Sequence, residues 1–451
     1  MIWIIVVLEL LSVYGRYTPD LSYLYSVPPK KIQNYIDHTN TLSGTFTQRY
    51  FELITFYNNS KPKAVLYLCG EVTCGLPGPG SLPYMTAERI GATYYAIEHR
   101  YYGESQPMSD WSTSNLKYLN PIQALSDIAF FIEHINRELR EKYGKVPKWV
   151  VISGSYPGAL AAWFRYKYPH LVSGAIASSA VINSFLEFPK FEWQFIEDLD
   201  KCPGGSKTKI LQNYQEYATK QMSSPETKQQ FLKIFNVTDM SMLEFAYFFA
   251  DLPIFPIMLG RLKDVCELLR KQEESNRPIA EQIKQLAEYA KSIFGFTVGL
   301  YTFSHLRNTT ISFTKFERQW TYQFCSSFGW LQTPSFPRHI RWEGMNLRYW
   351  KEYCEAVFDR EWMPDTEHIN ELFGGEEIAK HGSNIFFTQG EEDGWQWAGI
   401  RTNVYNNNKI HVAIIKDCAH CADLHTEKDT DPDSLKQIRE QEIHIINTWL
   451  Q

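Results

Sequence analysis

The sequence predicts an α/β protein, a parallel sheet covered by helices on both faces and interrupted by a long helical insertion. Two observations predict it. Apolar runs of strand length alternate with helical segments before residue 186 and again after residue 375, the rhythm of a parallel sheet with crossover helices. Between them the text is helical and aromatic-rich, as in "MSMLEFAYFF", "RLKDVCELLRKQ" and "IAEQIKQLAEYAKSIF".

The elements follow in chain order. Met1 to Val13 is a short apolar run with Val13 and Gly15 placed to flank a cleavage point, so residues 1–15 read as a signal peptide, with a buried first strand as the alternative. "KAVLYLCGE" (63–71) and "GATYYAIEHR" (91–100) read as strands. "PIQALSDIAFFIEHINRELREKYG" (121–144) reads as a helix with Pro121 in its first turn and Ile122, Leu125, Ile128, Ala129, Ile132 and Ile135 on one face. "KWVVISG" (148–154) is a third strand, a helix follows from about Gly158 to Tyr168, and "SGAIASSA" (173–180) is a fourth strand. The strand rhythm resumes with "SNIFFTQG" (383–390) and "KIHVAIIKD" (409–417), and "SLKQIREQEIHIINTWL" (434–450) closes the chain as a helix. The sheet domain therefore divides into residues 16–185 and 376–451 around an insertion of 186–375.

Bulk properties narrow the function classes. With 451 residues, 44% hydrophobic and 21% charged, the chain buries a large core. A net charge of −6 gives no electrostatic reason to bind nucleic acid. No segment after the N-terminus approaches the roughly 18 apolar residues of a membrane span. Eight cysteines and sequons at Asn58, Asn236 and Asn308 point to an oxidising, glycosylating compartment. The Cys418-x-x-Cys421 pair has no second pair at zinc-finger spacing, so no metal is expected.

The chemistry centres on "VISGSYPGALAAWF" (151–164). A strand runs into a small-residue turn and then a helix, with Ser155 in the turn. This is the setting of a nucleophile elbow, G-x-S-x-G, whose tight geometry demands small neighbours. Here Ser153 and Pro157 stand at the two outer glycines; serine is small, and proline is tolerated in a first helical turn. In such folds an acid and then a histidine follow the serine, each just beyond a strand. Glu391, Glu392 and Asp393 follow one strand directly, and His420 follows the next. Ser155 attacks, His420 takes and returns the proton, and the acid orients the imidazole; pattern alone leaves the choice of acid open. Candidate oxyanion donors are Tyr156 N–H and Glu71 or Val72 N–H, in the loop after the strand ending near Gly70.

With those residues assembled, the chain resembles the serine peptidases that include prolyl carboxypeptidase and dipeptidyl peptidase II, most of all their thymus-specific serine protease branch. The resemblance rests on "YIDHTN", "TFTQRYF", "EHRYYGESQP", "LKYLNPIQALSDIAFFI", "GSYPGALAAWFRYKYPHLVSGAIASSA", "RQWTYQFCSSFG", "GEEDGWQWAG" and "AHCADL". It selects Asp393, two residues before Trp395, and His420, the first histidine of an A-H-x-x-D motif. It implies an α/β-hydrolase fold with an inserted helical cap and cleavage of short peptides at one chain end, often after proline. Trp395, Trp320 and Tyr156 are candidates to line the pocket for the residue preceding the cut bond. The resemblance also implies disulfides Cys202–Cys266 and Cys325–Cys354, and leaves Cys69, Cys74, Cys418 and Cys421 to pair locally or with one another. The chain departs from the family at Ser153, usually glycine, at Gly394, usually proline, and at Ser326 and Ser327, where many members carry a glutamate.

The expectation is a secreted or lysosomal serine exopeptidase without metal or cofactor, acting on short peptides; a homodimer is compatible with it. The alternatives are an esterase or lipase on the same scaffold and a catalytically silent secreted binding protein.

Overall fold

In the computed structural model, residues 27–451 are described apart from Asn59, Phe296 and the side chain of Phe294; the expected signal peptide lies outside them. The apolar runs form strands β3 (Lys63–Leu68), β4 (Thr93–Ile97), β5 (Lys148–Gly154), β6 (Gly174–Ser178), β9 (Ile385–Gly390) and β10 (Ile410–Ile415). Two further strands precede them, β1 (Lys30–Tyr35) and β2 (Thr45–Leu53). The eight form one sheet in the order β1-β2-β4-β3-β5-β6-β9-β10. From β4 through β10 neighbouring strands run parallel, while β2 is antiparallel to both β1 and β4. This order, with its single antiparallel position at β2, is that of the α/β-hydrolase fold.

Both sheet faces are covered, so the central strands can be apolar at every position. Leu66, Val151 and Phe387 pack into the larger core beneath helices α2 (Pro121–Tyr143) and α3 (Ser155–Lys167). Their neighbours Val65, Val150, Ile152 and Phe386 pack on the other face, with α1 (Leu82–Ile90) and the C-terminal helix α15 (Asp433–Trp449). The sequence reading missed β1 and β2 for a physical reason. In β2 the buried residues include Gln48 and Arg49, which breaks the apolar signature. Their partners come from elsewhere: Gln48 bonds Asn34 and the Glu98 carbonyl at 2.7 Å each, and Arg49 ion-pairs with Glu98 and Glu104.

Between β6 and β9, adjacent in the sheet, lie helices α4 (Pro189–Asp200), α5 (Thr208–Met222), α6 (Pro225–Leu232) and α7 (Met242–Met258). They continue as α8 (Leu262–Glu273), α9 (Ile279–Phe294), α10 (Phe303–Leu306), α11 (Glu317–Gln323), α12 (Leu347–Phe358), α13 (Thr366–Phe373) and α14 (Ile378–His381). A short parallel pair, β7 (Phe185–Glu187) with β8 (Gly329–Leu331), corrects the expectation of an all-helical stretch. Cys202–Cys266 ties the end of α4 to α8, and Cys325–Cys354 ties the turn after α11 to α12. The third bridge is local, Cys69–Cys74, while Cys418 and Cys421 are free thiols. Among the described residues no helix is long and apolar enough to cross a membrane.

Candidate active site

Parallel pairing brings three loops to one sheet edge. A line of partners runs Gly154–Ser178, Ser178–Thr388 and Thr388–Ala413 across four strands. One residue beyond β5 stands Ser155, three beyond β9 stands Asp393, and five beyond β10 stands His420.

Ser155 opens α3 with φ +61°, a left-handed conformation that costs a non-glycine residue of order 1–3 kcal/mol and that folds retain at working sites. Pro157 falls in the first helical turn as expected. Ser153 supplies a contact glycine could not, its buried Oγ donating to the Leu68 carbonyl at 2.6 Å. Gly154 is required by close packing: a Cβ there would lie 2.6 Å from Cys421 Sγ and 2.6 Å from Leu424 Cδ1. The loop carrying His420 therefore rests directly on the elbow.

Asp393 is fully buried, and its Oδ2 meets His420 Nδ1 at 2.7 Å while its Oδ1 accepts from Trp395 N–H at 2.9 Å. Glu391 and Glu392 point elsewhere: Glu391 accepts from Asp417 N–H, and burial raises the Glu392 carboxyl. Gly394, where the family carries proline, has α4 against it, with Phe195 2.5 Å from the position a Cβ would take. Burial alone would lower the pKa of His420, but the Asp393 carboxylate, followed by Cys421, outweighs it and holds the imidazole well above its ordinary value.

Two residues that pattern reading did not assign hold this arrangement. Asp423 turns back to the sheet edge, accepting from Ser178 Oγ and from Thr388 Oγ1 at 2.7 Å, and so pins the His420 loop to β6 and β9. Arg439 of α15 donates to the carbonyls of Asp423, Ala422 and His425 and to Asp431 at 2.6 Å. Asp423 was visible as the last residue of A-H-x-x-D; Arg439 sits in an ordinary helical stretch and gave no signal. From the helices between β6 and β9, the Met258 carbonyl at the end of α7 accepts from His420 N–H at 3.3 Å.

At the candidate oxyanion donors, Tyr156 N–H belongs to the first turn of α3, where no intrahelical acceptor exists. The Glu71 loop lies alongside, with Pro157 Cγ 2.8 Å from a Cβ built on Gly70. Burial pushes the Glu71 carboxyl up to about 7, against the pull of its own backbone N–H and of His420. The Tyr156 ring does not line the pocket as expected. It is fully buried against Phe328, with its hydroxyl 3.0 Å from His99 Nε2. His99 Nδ1 donates to the Arg100 carbonyl, and burial lowers the imidazole pKa to about 4, so Nε2 is an acceptor.

Trp320 and Trp395 are brought together on one cavity of about 190 Å³, which also reaches Met258 and Phe191. Both tryptophans are half-buried and pack around Trp330, at 6.1 and 5.8 Å between ring centres. The sequon residues Asn58, Asn236 and Asn308 are all exposed.

Comparison with known proteins follows the same lines. Residues 34–442 match the family model described as serine carboxypeptidase S28. The chain is 28% identical to human lysosomal Pro-X carboxypeptidase over 462 residues, covering 93% of this chain and 87% of that protein. It is 28% identical to the probable serine protease EDA2 of Arabidopsis thaliana over 427 residues, covering 90% and 85%. To the putative serine protease K12H4.7 of Caenorhabditis elegans it is 27% identical over 450 residues, covering 92% and 86%.

Proposed function

Because the chain belongs to the serine carboxypeptidase S28 family, and is therefore a serine-type peptidase, we propose that it removes residues from one end of short peptides through Ser155, His420 and Asp393. The observation that carries this reading is the 2.7 Å bond from His420 Nδ1 to the buried Asp393. It leaves Nε2 as the proton acceptor and fixes the ring.

Ser155 Oγ attacks the peptide carbonyl and gives its proton to His420 Nε2. The oxyanion draws on Tyr156 N–H and on Glu71 N–H. Collapse breaks the C–N bond; His420 returns the proton to the leaving amine, and an acyl-enzyme remains on Ser155. Water then repeats the sequence and frees the acid. The cavity beside Trp320 and Trp395, walled mostly by aromatic and aliphatic side chains, takes the residue preceding the bond, with proline as the preferred occupant. The name of the human relative, Pro-X carboxypeptidase, supports that preference. Three disulfides and three exposed sequon asparagines support a route through an oxidising lumen, to secretion or to the lysosome.

Treating the protein with a fluorophosphonate and mapping the adduct by mass spectrometry tests the mechanism. We expect one label, on Ser155, and loss of both label and peptide hydrolysis in Ser155→Ala with unchanged circular dichroism. Label on another residue, or full hydrolysis by Ser155→Ala, overturns it.

A further inference from the structure

Helix α15 presents a second buried acid to the loop that carries His420. Arg439 Nε reaches the Asp423 carbonyl at 2.9 Å, and Glu442 lies three residues further along the same helical face. Glu442 is 0% exposed and Asp423 1% exposed, and their carboxyl groups stand in hydrogen-bonding contact. Both Asp423 oxygens already accept, one from Ser178 Oγ and one from Thr388 Oγ1 at 2.7 Å. Among the described residues no donor reaches either carboxyl oxygen of Glu442.

Two ionised carboxylates only accept hydrogen bonds and repel one another, so a buried contact between them holds only with a proton in it. The surrounding donors decide where that proton resides. Asp423 has two hydroxyls to stabilise its charge, whereas Glu442 has none. Arg439 is the cation that acts on Glu442, but its guanidinium is committed to Asp431 and to the carbonyls of Asp423, Ala422 and His425. The other titratable neighbours of Asp423 are uncharged at neutral pH: burial lowers the His425 imidazole to about 4 and pushes the Cys418 thiol up to about 12. From the sheet, β6 and β9 bring only the Ser178 and Thr388 hydroxyls to the pair. Burial, then the charge of Asp423, holds the Glu442 carboxyl well above the usual range.

We propose that Glu442 is a positioning residue: it keeps its proton at neutral pH and donates it to Asp423, and this carboxyl–carboxylate bond holds the His420 loop against the elbow. The proposal rests on the peptidase reading above only in taking His420 as the base. Cys421 and Leu424 of the same loop lie against Gly154, so a loop released at Asp423 shifts His420 relative to Ser155. The shared proton also has a thermodynamic consequence. The unfolded chain ionises Glu442 near the ordinary glutamate value of about 4.3, whereas the folded chain retains the proton. The stability it contributes is present in full below that value and is lost as pH rises toward the raised one.

Melting temperatures of the unmutated protein and of Glu442→Gln, at pH 5 and at pH 8 in matched buffers, test the proton. Glutamine keeps a neutral donor beside Asp423 and does not titrate. We expect the unmutated protein to lose several degrees relative to Glu442→Gln between the two pH values; a difference that does not change with pH overturns the shared proton. The rate at which a fluorophosphonate labels Ser155, a reaction that uses His420 as base, tests the positioning. At pH 7, Glu442→Gln should label within about threefold of the unmutated rate and Glu442→Leu about tenfold more slowly or worse. Equal labelling rates in the two variants overturn the positioning role. The melting comparison uses a variant that keeps the size and the donor, so it decides even where Glu442→Leu does not fold. Absence of label on the unmutated protein rejects the nucleophile reading instead, and the melting comparison, which needs no catalysis, still decides the proton.

Discussion

Ser155 owes its position to residues that cannot be larger. Gly154 leaves room for Cys421 Sγ, and a Cβ there would sit 2.6 Å from that sulfur. Gly154→Ala must therefore push aside the Cys421 and Leu424 side chains of the His420 loop, and a shift near 1 Å at reacting groups can cost about 100-fold in rate. We expect kcat to fall by that order with the fold retained; steady-state kinetics with circular dichroism check it, and unchanged kcat refutes the packing account. The pH profile belongs to the same scale. The proposed mechanism needs neutral His420, and burial, although it opposes the Asp393 carboxylate, does not prevent the raised pKa. Activity should therefore rise with pH along a limb whose midpoint lies above the ordinary imidazole value of about 6.5. A midpoint below about 6 in kcat/KM would contradict that balance.

Elements set the histidine as firmly as its neighbours do. The loop after β10 is stapled to β6 and β9 through Asp423, and to α15 through Arg439. Arg439 is 1% exposed and binds the buried Asp431. Removing one partner of a buried ion pair costs about 3–5 kcal/mol. Arg439→Met keeps most of the volume and removes the charge, so we expect a lowered melting temperature together with a loss of kcat larger than any change in KM. A variant with unaltered melting and kinetics would show that α15 does not hold the loop. The motif "EHRYYGES" has its own element-level meaning. Glu98 binds Arg49, Ser105 and Cys74 N–H, and Arg100 binds Asp127, so the segment fastens β2 and α2 to the end of β4. Burial opposes ionisation of Asp127, but Arg100 and then His38 hold its carboxyl below the usual range.

Across the whole molecule, the helices inserted between β6 and β9 meet the sheet edge where Asp393 and His420 stand. Phe191 of α4 and Met258 of α7 line the cavity beside Trp395, and the Cys202–Cys266 bridge joins α4 to the helix after α7 over 64 residues. A closed loop of that length restricts the unfolded chain by about 4 kcal/mol in the chain-entropy model. Replacing both cysteines by alanine should lower the melting temperature and raise KM before kcat, since in the proposed function these helices supply binding surface rather than the reacting groups. Calorimetry with peptide kinetics checks both, and an unchanged melting temperature would argue against the staple.

The sequence by itself determined six of the sheet's eight strands, the nucleophile candidate and the candidate histidine, because strands buried on both faces and a small-residue turn leave plain local patterns. With the family resemblance it also singled out Asp393 and two of the three disulfides. It did not reveal β1 and β2, whose buried Gln48 and Arg49 are matched only by residues distant in the chain. Nor did it reveal Arg439, which lies in an ordinary helical stretch. Tyr156 looked like a pocket residue and proved to be core, because ring orientation depends on His99 and Phe328. Local order is written in neighbouring residues, whereas the partner of a buried polar group is chosen only when the folded chain brings remote segments into contact.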